Sequence, residues 1–316
     1  MVTNALTVDV EEYYHAAIFR AGTKGSTRDR FESRVEQSVD RLLRLLKQHQ
    51  TKATFFVLGE VAAGHPSLVR RLAADGHEIA CHGYGHDDVH VQTPRTFRAD
   101  IRQAKAQIED IVGESVVGYR APNFSIGRAQ AWAYQILVEE GFRYDSSMYP
   151  VLHDRYGQPE APRFPYEIWR DGPHRLMEFP IGTARLLGVN LPIGGGGYFR
   201  LSPLSLFQLG MQYVNGWEQR PVMFYVHPWE FDPGQPRPMM AWRYRFRHYV
   251  GLERSEAKLS RLLSAFAFGT ARDVLETQTR RARVFETLLL PRVSFGLAND
   301  PNLSALTRSD SPISAG

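Results

Sequence analysis

The chain has 316 residues, a formal charge of +4 and a single cysteine, with 43% hydrophobic and 23% charged residues. That length allows one barrel-sized domain or two smaller ones, and the composition is that of an ordinary globular protein. Cys81 alone excludes an internal disulfide and a cysteine-based zinc site. The charge lacks the basic stripe with interleaved aromatics that nucleic-acid binding needs, and no run approaches the ~18 apolar residues that span a bilayer.

The first residues hold no basic stretch followed by an apolar core, so a cytoplasmic protein without a secretory signal is expected. Ala5 to Val10 is β-rich and runs into Asp9-Val10-Glu11-Glu12. Residues 31–49 place Val35, Val39, Leu42, Leu43 and Leu46 on one face at helical spacing. Lys52 to Leu58 has a buried-strand pattern, and Pro66 to Ala74 predicts a short helix stopped by Asp75-Gly76. Glu78 to Cys81 predicts a third strand and Thr93-Pro94 opens a helix to Val112. A fourth strand over Val116 to Tyr119, a helix over 128–140 and a fifth strand over Phe142 to Tyr144 follow. Prolines 150, 159, 162, 165 and 173 make residues 146–175 read as a long ordered loop. Leu176 to Pro180 is a strand, Gly194 to Gly197 a flexible or closely packed turn, 203–217 a helix and Val222 to His227 a strand.

Strands alternating with helices indicate parallel βαβ units. The expected fold is α/β, an irregular (β/α) barrel of about seven strands over residues 1–235. The residues that carry chemistry follow several different strands, as on one face of a barrel, whereas an open sheet gathers its site at one switch point. The basic, aromatic run Arg243 to Tyr249 and an amphipathic stretch over 253–267 are expected to form a helical extension over 236–295 packed on the barrel. Residues 296–316 lack a hydrophobic period and are expected to be disordered.

The densest cluster of chemistry is His82-Gly-Tyr-Gly-His86-Asp-Asp-Val-His90. Its glycines make it a strand-end loop, not the helical HExxH zinc motif. Neutral imidazole is a common metal ligand, and a carboxylate is its usual companion in a hydrolytic site. His82 and His86 would supply two ligands and the acidic run at 9–12 a third, leaving open positions for water and a carbonyl oxygen. A second carboxylate could take a proton from the attacking water. Residues two apart in a strand point to one side, so Asp9 and Glu11 can share a pocket. Glu12 and His90 stay in reserve as ligands.

Five segments, Thr7-Val8-Asp9-Val10-Glu11, His82-Gly-Tyr-Gly-His86, Arg120-Ala-Pro122-Asn123, Tyr144-Asp145-Ser146-Ser147 and Val226-His227-Pro228, occur in order. Together they resemble the motifs of the NodB-type polysaccharide deacetylases, carbohydrate esterase family 4, over roughly residues 5 to 230. The resemblance implies an N-deacetylase with a divalent metal, zinc, held by Glu11, His82 and His86. It makes Asp9 the base, although Val10 stands where many members carry a second aspartate. Arg120 would pair with Asp9 to hold it ionised and oriented. His227 would be the general acid, with Asp145 tuning its pKa, and the backbone N–H of Asn123 would face the oxyanion.

Glu178-Phe-Pro180, Gly195-Gly-Gly-Tyr-Phe-Arg200, His227-Pro-Trp-Glu230 and Arg247-His-Tyr-Val-Gly-Leu252 further resemble deacetylases of exosortase/PEP-CTERM exopolysaccharide loci. That implies an N-acetylated hexosamine in an exopolysaccharide or its lipid-linked oligosaccharide precursor as substrate. Tyr198, Phe199 and Trp229 would form a sugar-facing wall. Two other readings are another carbon–nitrogen hydrolase on the same barrel, resembling the allantoinases, and a catalytically inactive polysaccharide-binding relative.

Overall fold

A computed structural model describes residues 2–16, 19, 31–153, 156–238 and 241–289, so the tail expected to be disordered lies outside the described residues. The strands are β1 (Thr3–Val10), β2 (Thr54–Val57), β3 (Glu78–Cys81), β4 (Gly118–Tyr119), β5 (Tyr144–Asp145), β6 (Tyr166–Asp171), β7 (His174–Glu178), β8 (Thr183–Leu186), β9 (Val189–Pro192), β10 (Met223–Val226) and β11 (Ala267–Gly269). One sheet has the order β10-β1-β2-β3-β4-β5-β7-β6, with β11 beside the start of β1. All of its pairings are parallel except β6 with β7.

The period-2 alternation of these strands separates two cores. Ala5, Phe56, Ala80 and Tyr225 face one cluster inside the curved sheet. Leu6, Val8, Val10, Phe55, Val57, Ile79 and Cys81 face another, shared with the helices Val35–Gln48, Pro66–Ala74 and Pro94–Val112. Cys81 belongs to that outer core, and burial pushes its thiol up to about 12.

The sheet closes on itself. Val10, Val57, Cys81, Tyr119, Asp145 and Glu178 stand in one row of paired residues. Ile181, three residues beyond Glu178, bridges to Met223, which is level with Ala5, five residues before Val10. One circuit therefore slips the register by eight residues, the stagger that closing a tilted barrel requires. Seven strands form the wall, as the alternation of segments predicts, and the seam is an isolated bridge instead of a full ladder. The glycine run completes that seam. Gly195 bridges Tyr225 at φ 114°, and a Cβ there would lie 1.9 Å from the Tyr225 carbonyl oxygen. Close packing, not flexibility, accounts for this glycine.

Three elements escape the sequence reading. The expected loop 146–175 contains β6, an antiparallel partner of β7 joined through Gly172 at φ 55°. Prolines 165 and 173 flank β6 without interrupting it, and as an outer strand it tolerates them. Residues 183–192 leave the seam as the hairpin β8–β9. The segment after 235 joins the barrel: β11 extends the sheet at β1, and Ala271, Val274 and Leu275 fill the barrel interior. Residues up to Thr277 form one compact unit. The helix Ala271–Leu289 starts against Thr54 and Glu78, whose side-chain oxygens accept the Ala271 and Arg272 N–H groups at 2.8 and 3.1 Å. A carboxylate at a helix N-terminus is the favourable sign for the helix dipole.

His77 supplies a test of this packing. Its Nδ1 accepts the Ala53 N–H at 3.2 Å, which requires the neutral ring, and burial, with the Lys52 charge, pulls its pKa down to about 4. Between an unfolded value near 6.5 and that folded value the unfolded chain binds the extra proton, so stability falls as pH drops through this window. After allowance for solvent screening the loss is about 2 kcal/mol. Chemical denaturation of the wild type and His77→Gln at pH 7 and pH 4.5 should show a smaller loss in the variant. An equal loss in both would assign the acid sensitivity elsewhere.

Candidate active site

The chemistry gathers where β1, β3, β4 and β10 end. Arg120, directly after β4, is fully buried inside the barrel. Its Nη1 donates to Asp9 Oδ1 at 2.6 Å and to Thr7 Oγ1 at 2.9 Å. Nε and Nη2 donate to the carbonyl and hydroxyl of Ser146 at 3.1 and 2.9 Å, and the guanidinium lies 4.2 Å from the Phe56 ring centre. Asp9 thereby has one oxygen fixed, while Oδ2 lies 4.0 Å from His227 Nε2.

Glu11, His82 and His86 converge, with one donor atom of each within 4.8 Å of the others. The Arg120 carbonyl lies 2.8 Å from His82 Nδ1, so this nitrogen carries the proton and Nε2 is left as the donor atom. Burial pulls the His82 pKa down to about 4, which keeps the ring neutral. His86 Nε2 lies 2.6 Å from Glu11 Oε2. Burial alone would raise the Glu11 carboxyl; the neighbouring His86, then His227 and His15, hold it well below the usual range. The Trp229 indole N–H donates to Glu11 Oε1 at 3.0 Å. Two imidazole nitrogens and a carboxylate oxygen, all buried, with the outer hydrogen bonds of His82 and Glu11 made, fit a divalent ion such as zinc.

The reserve ligands have other places. Glu12 is buried and turned away: it accepts the Arg34 N–H with both oxygens at 3.0 Å, the Val35 N–H at 3.2 Å and the Ser33 hydroxyl. It anchors the start of the Val35–Gln48 helix. His90 is exposed, 3.9 Å from Asp88 Oδ2 and outside the cluster.

His227 follows β10. Its Nδ1 lies 3.6 Å from Glu230 Oε2, an ion-pair distance, and its Nε2 lies 3.6 Å from Glu11 Oε1. Burial on its own would lower its pKa, but Glu230, Glu11 and Asp9 outweigh it and raise the value to about 9. Glu230 is held by Arg200 Nε at 2.8 Å and accepts the His227 N–H at 3.1 Å. Asp145, expected to tune His227, does not touch it. Asp145 accepts from the Ser147 hydroxyl at 2.6 Å and faces Glu178, which burial and the Asp145 charge push well above the usual carboxyl range. Glu178 keeps a proton and donates it to Asp145, which explains why neither facing oxygen has another partner. The partner of His227 is Glu230, three residues along the same turn.

Asn123 sits at φ 53° in the turn after Arg120, and its side-chain amide donates to Asp88 Oδ1 at 2.7 Å. No hydrogen bond to its backbone N–H is found among the described residues, and the residue lines the cleft. A non-glycine residue held at positive φ at such a place is a feature of functional turns. Tyr198 is half-buried on the cleft wall. Trp229 is only 7% exposed and stacks on His227 and His248, with ring centres 5.0 and 4.5 Å apart. Phe199 is buried in the outer core. Phe199 therefore leaves the sugar-facing wall, while Trp229 lines the cleft and also orients Glu11. The cleft above the cluster encloses about 840 Å³.

Sequence reasoning assigned no role to Glu230, Arg200 or His15. His15 accepts the Glu12 N–H at Nδ1, pairs through Nε2 with Glu60 at 2.6 Å and stacks on His86 with ring centres 5.7 Å apart. Its position three residues after Glu12 was the available signal.

Residues 25–143 match the family model described as polysaccharide deacetylase, and residues 146–276 match one described as a domain of unknown function (DUF3473). The chain is 27% identical over 113 residues to a peptidoglycan deacetylase of Helicobacter pylori, covering 36% of this chain and 38% of that one. It is 35% identical over 82 residues to a chitooligosaccharide deacetylase of Bradyrhizobium sp., covering 26% and 37%. These matches span less than two fifths of either relative's length. The solved structure of a "probable polysaccharide deacetylase" from Pseudomonas aeruginosa shares the fold, with a TM-score of 0.58 at 16% identity over 88% of this chain and 91% of that one. The family model and the curated relatives make the chain similar to polysaccharide deacetylases over part of its length, and the solved structure shows a shared fold. The two family models divide the chain through the middle of the barrel: His82, His86 and Arg120 fall in one, Arg200, His227 and Glu230 in the other, and Asp9 and Glu11 precede both.

Substitution should separate the two adjacent glutamates. Glu11→Gln should weaken zinc binding, measured by competition with a chelating dye, by more than the ten- to hundred-fold of an outer-sphere change. Glu12→Ala should leave zinc affinity within that range but lower stability by about 1–2 kcal/mol through loss of the helix anchor. The reverse pattern would make Glu12 the ligand.

Proposed function

We propose that this chain is a metal-dependent N-deacetylase that removes acetyl groups from N-acetylhexosamine units. The observation that carries the reading is the convergence of the Glu11–His82–His86 cluster with the Arg120-held Asp9 and the Glu230-paired His227 around one cleft. A divalent ion on the cluster would supply Lewis acidity, giving a more acidic water and a polarised amide carbonyl.

The chain's own residues divide the remaining work. With Oδ1 occupied by Arg120, Asp9 presents Oδ2 to the cleft and takes the proton of the attacking water. The new carbon–oxygen bond places negative charge on the former carbonyl oxygen, and the Asn123 N–H is placed to donate to it. His227 is cationic at neutral pH beside Glu230. It passes a proton from Nε2 to the departing nitrogen as the carbon–nitrogen bond breaks, yielding acetate and a free amine. Tyr198 supplies an aromatic surface for the sugar at the cleft wall.

The substrate class extends the same proposal. The four segments around Glu178, Gly195, His227 and Arg247 support an exopolysaccharide or its lipid-linked precursor, as does an open cleft that can take an internal unit of a chain.

Acetate release tests the proposal. Protein loaded with zinc or another divalent ion should release acetate from N-acetylhexosamine oligomers or lipid-linked oligosaccharides. Asp9→Asn and His227→Ala should each lower kcat by about 10²–10⁴. Acetate from none of these substrates would overturn the reading, and full activity in Asp9→Asn would overturn the base assignment.

A further inference from the structure

Thirty-nine consecutive residues, Phe179 to Trp217, contain no aspartate or glutamate, where 34 acidic residues in 316 would place roughly four. The same stretch holds nine of the thirteen exposed large hydrophobic residues among the described residues. Six of them fall on two neighbouring edges. One is the tip of the β8–β9 hairpin, with Leu186, Leu187 and Val189; the other is the outer side of the helix Leu204–Gln212 and the turn after it, with Leu206, Leu209 and Trp217. Gly210 lets the helix sit close against the base of the hairpin, since a Cβ there would meet Ile193 at 2.7 Å and Ala184 at 3.6 Å.

Folding does not explain the hairpin tip. Leu187 and Gly188 both have positive φ, 49° and 82°, a turn whose first central position normally takes asparagine, aspartate or glycine. A branched apolar residue is strained there, and Leu187 is 95% exposed, so it gains no burial in return. A projecting apolar point fits a penetrable medium better than it fits the flat face of a second copy. The flanking chemistry agrees: exposed Arg185 at the base of the tip, exposed Arg220 beyond the helix, and a tryptophan 82% exposed. Tryptophan and arginine beside leucines, in a stretch without a carboxylate from Phe179 to Trp217, is the pattern of surfaces that rest in the headgroup layer of an anionic membrane.

The hairpin is tied to the cleft. Asn190 donates to the carbonyls of Pro150 and Pro159 at 2.9 and 3.1 Å, and the loop between them carries Tyr156 on the cleft wall. No described helix is long and apolar enough to cross a membrane.

We propose that the β8–β9 tip and the Leu206–Trp217 edge form a docking surface for an anionic lipid bilayer, holding the cleft rim beside the headgroups. The proposal does not depend on the deacetylase reading, because lipid binding is measured without substrate. In vesicle flotation, the full chain should rise with vesicles of phosphatidylcholine containing phosphatidylglycerol and bind phosphatidylcholine alone more weakly. Leu187→Asp combined with Val189→Asp should reduce the vesicle-bound fraction at least tenfold at an unchanged melting temperature. Wild-type tryptophan emission should shift to shorter wavelength with the anionic vesicles, and Trp217→Phe should remove most of that shift. Wild-type protein that stays unbound to both vesicle types overturns the proposal, as does a double variant that floats equally well. A concentration-dependent dimer lost in the double variant, without vesicle binding, would assign the surface to a second copy instead.

Discussion

The guanidinium of Arg120 has no access to solvent, and an unpaired charge in that position would be prohibitively costly. Four hydrogen bonds and an aromatic face answer it: Asp9 and Thr7 from β1, Ser146 just after β5, and the face of Phe56 from β2. Ser146 in turn donates to the Phe179 carbonyl beyond β7 at 2.8 Å. One cation thus fixes how five segments of the barrel wall sit at their carboxyl ends. The Arg120 backbone carbonyl meets the ligand candidate His82, so the same residue sets both the carboxylate at one side of the site and an imidazole at the other. Lysine could not replace it, because a single ammonium lacks the planar fork that reaches three partners.

The second half of the chain completes what Arg120 begins. Arg200, Glu230, His227, Trp229 and His248 form a continuous run of contacts that ends on Glu11. Arg200 also donates to the His248 carbonyl at 2.5 Å, so the helix Trp242–Tyr249 is held to the site through its last turn. The region matched only as a domain of unknown function is therefore inseparable from the barrel: it supplies β7, β10, the seam and one wall of the site. A chain cut near residue 143 would leave Asp9 and Glu11 beside an unclosed sheet.

Much of this was legible in the amino-acid order. Alternating apolar runs separated by amphipathic helices give the parallel strands, and the Asp9–Glu11 and His82–His86 pairs lie at strand ends where period and glycines put them. What stayed hidden depends on distance in three dimensions. Glu11 and Glu12 are neighbours in a run of acids, and only the path of the chain after Val10 sends one into the cluster and the other to residues 33–35. Asp145 carries the motif position, but Glu178 approaches it across β5–β7 and takes up its free oxygen. Glu230 sat in plain view in His227-Pro-Trp-Glu230, yet a charged residue three positions on is uninformative until a short 3₁₀ turn folds it back. Phe199 looked like a sugar platform because aromatic residues serve both purposes; its burial in the outer core removes it, while Trp229 lines the cleft with its indole N–H on Glu11. The strands β6, β8 and β11 lack a clean alternation of burial, so periodicity had little to detect there.

The central claim is that Glu11, His82 and His86 hold the ion on which the site works. Anomalous diffraction from crystals soaked in zinc tests it most directly. The account predicts one strong peak at about 2.0–2.2 Å from a Glu11 carboxylate oxygen, His82 Nε2 and His86 Nε2, with Glu12 still at the start of its helix. A peak held by Glu12 or His90, or an empty cluster at saturating zinc, would contradict it.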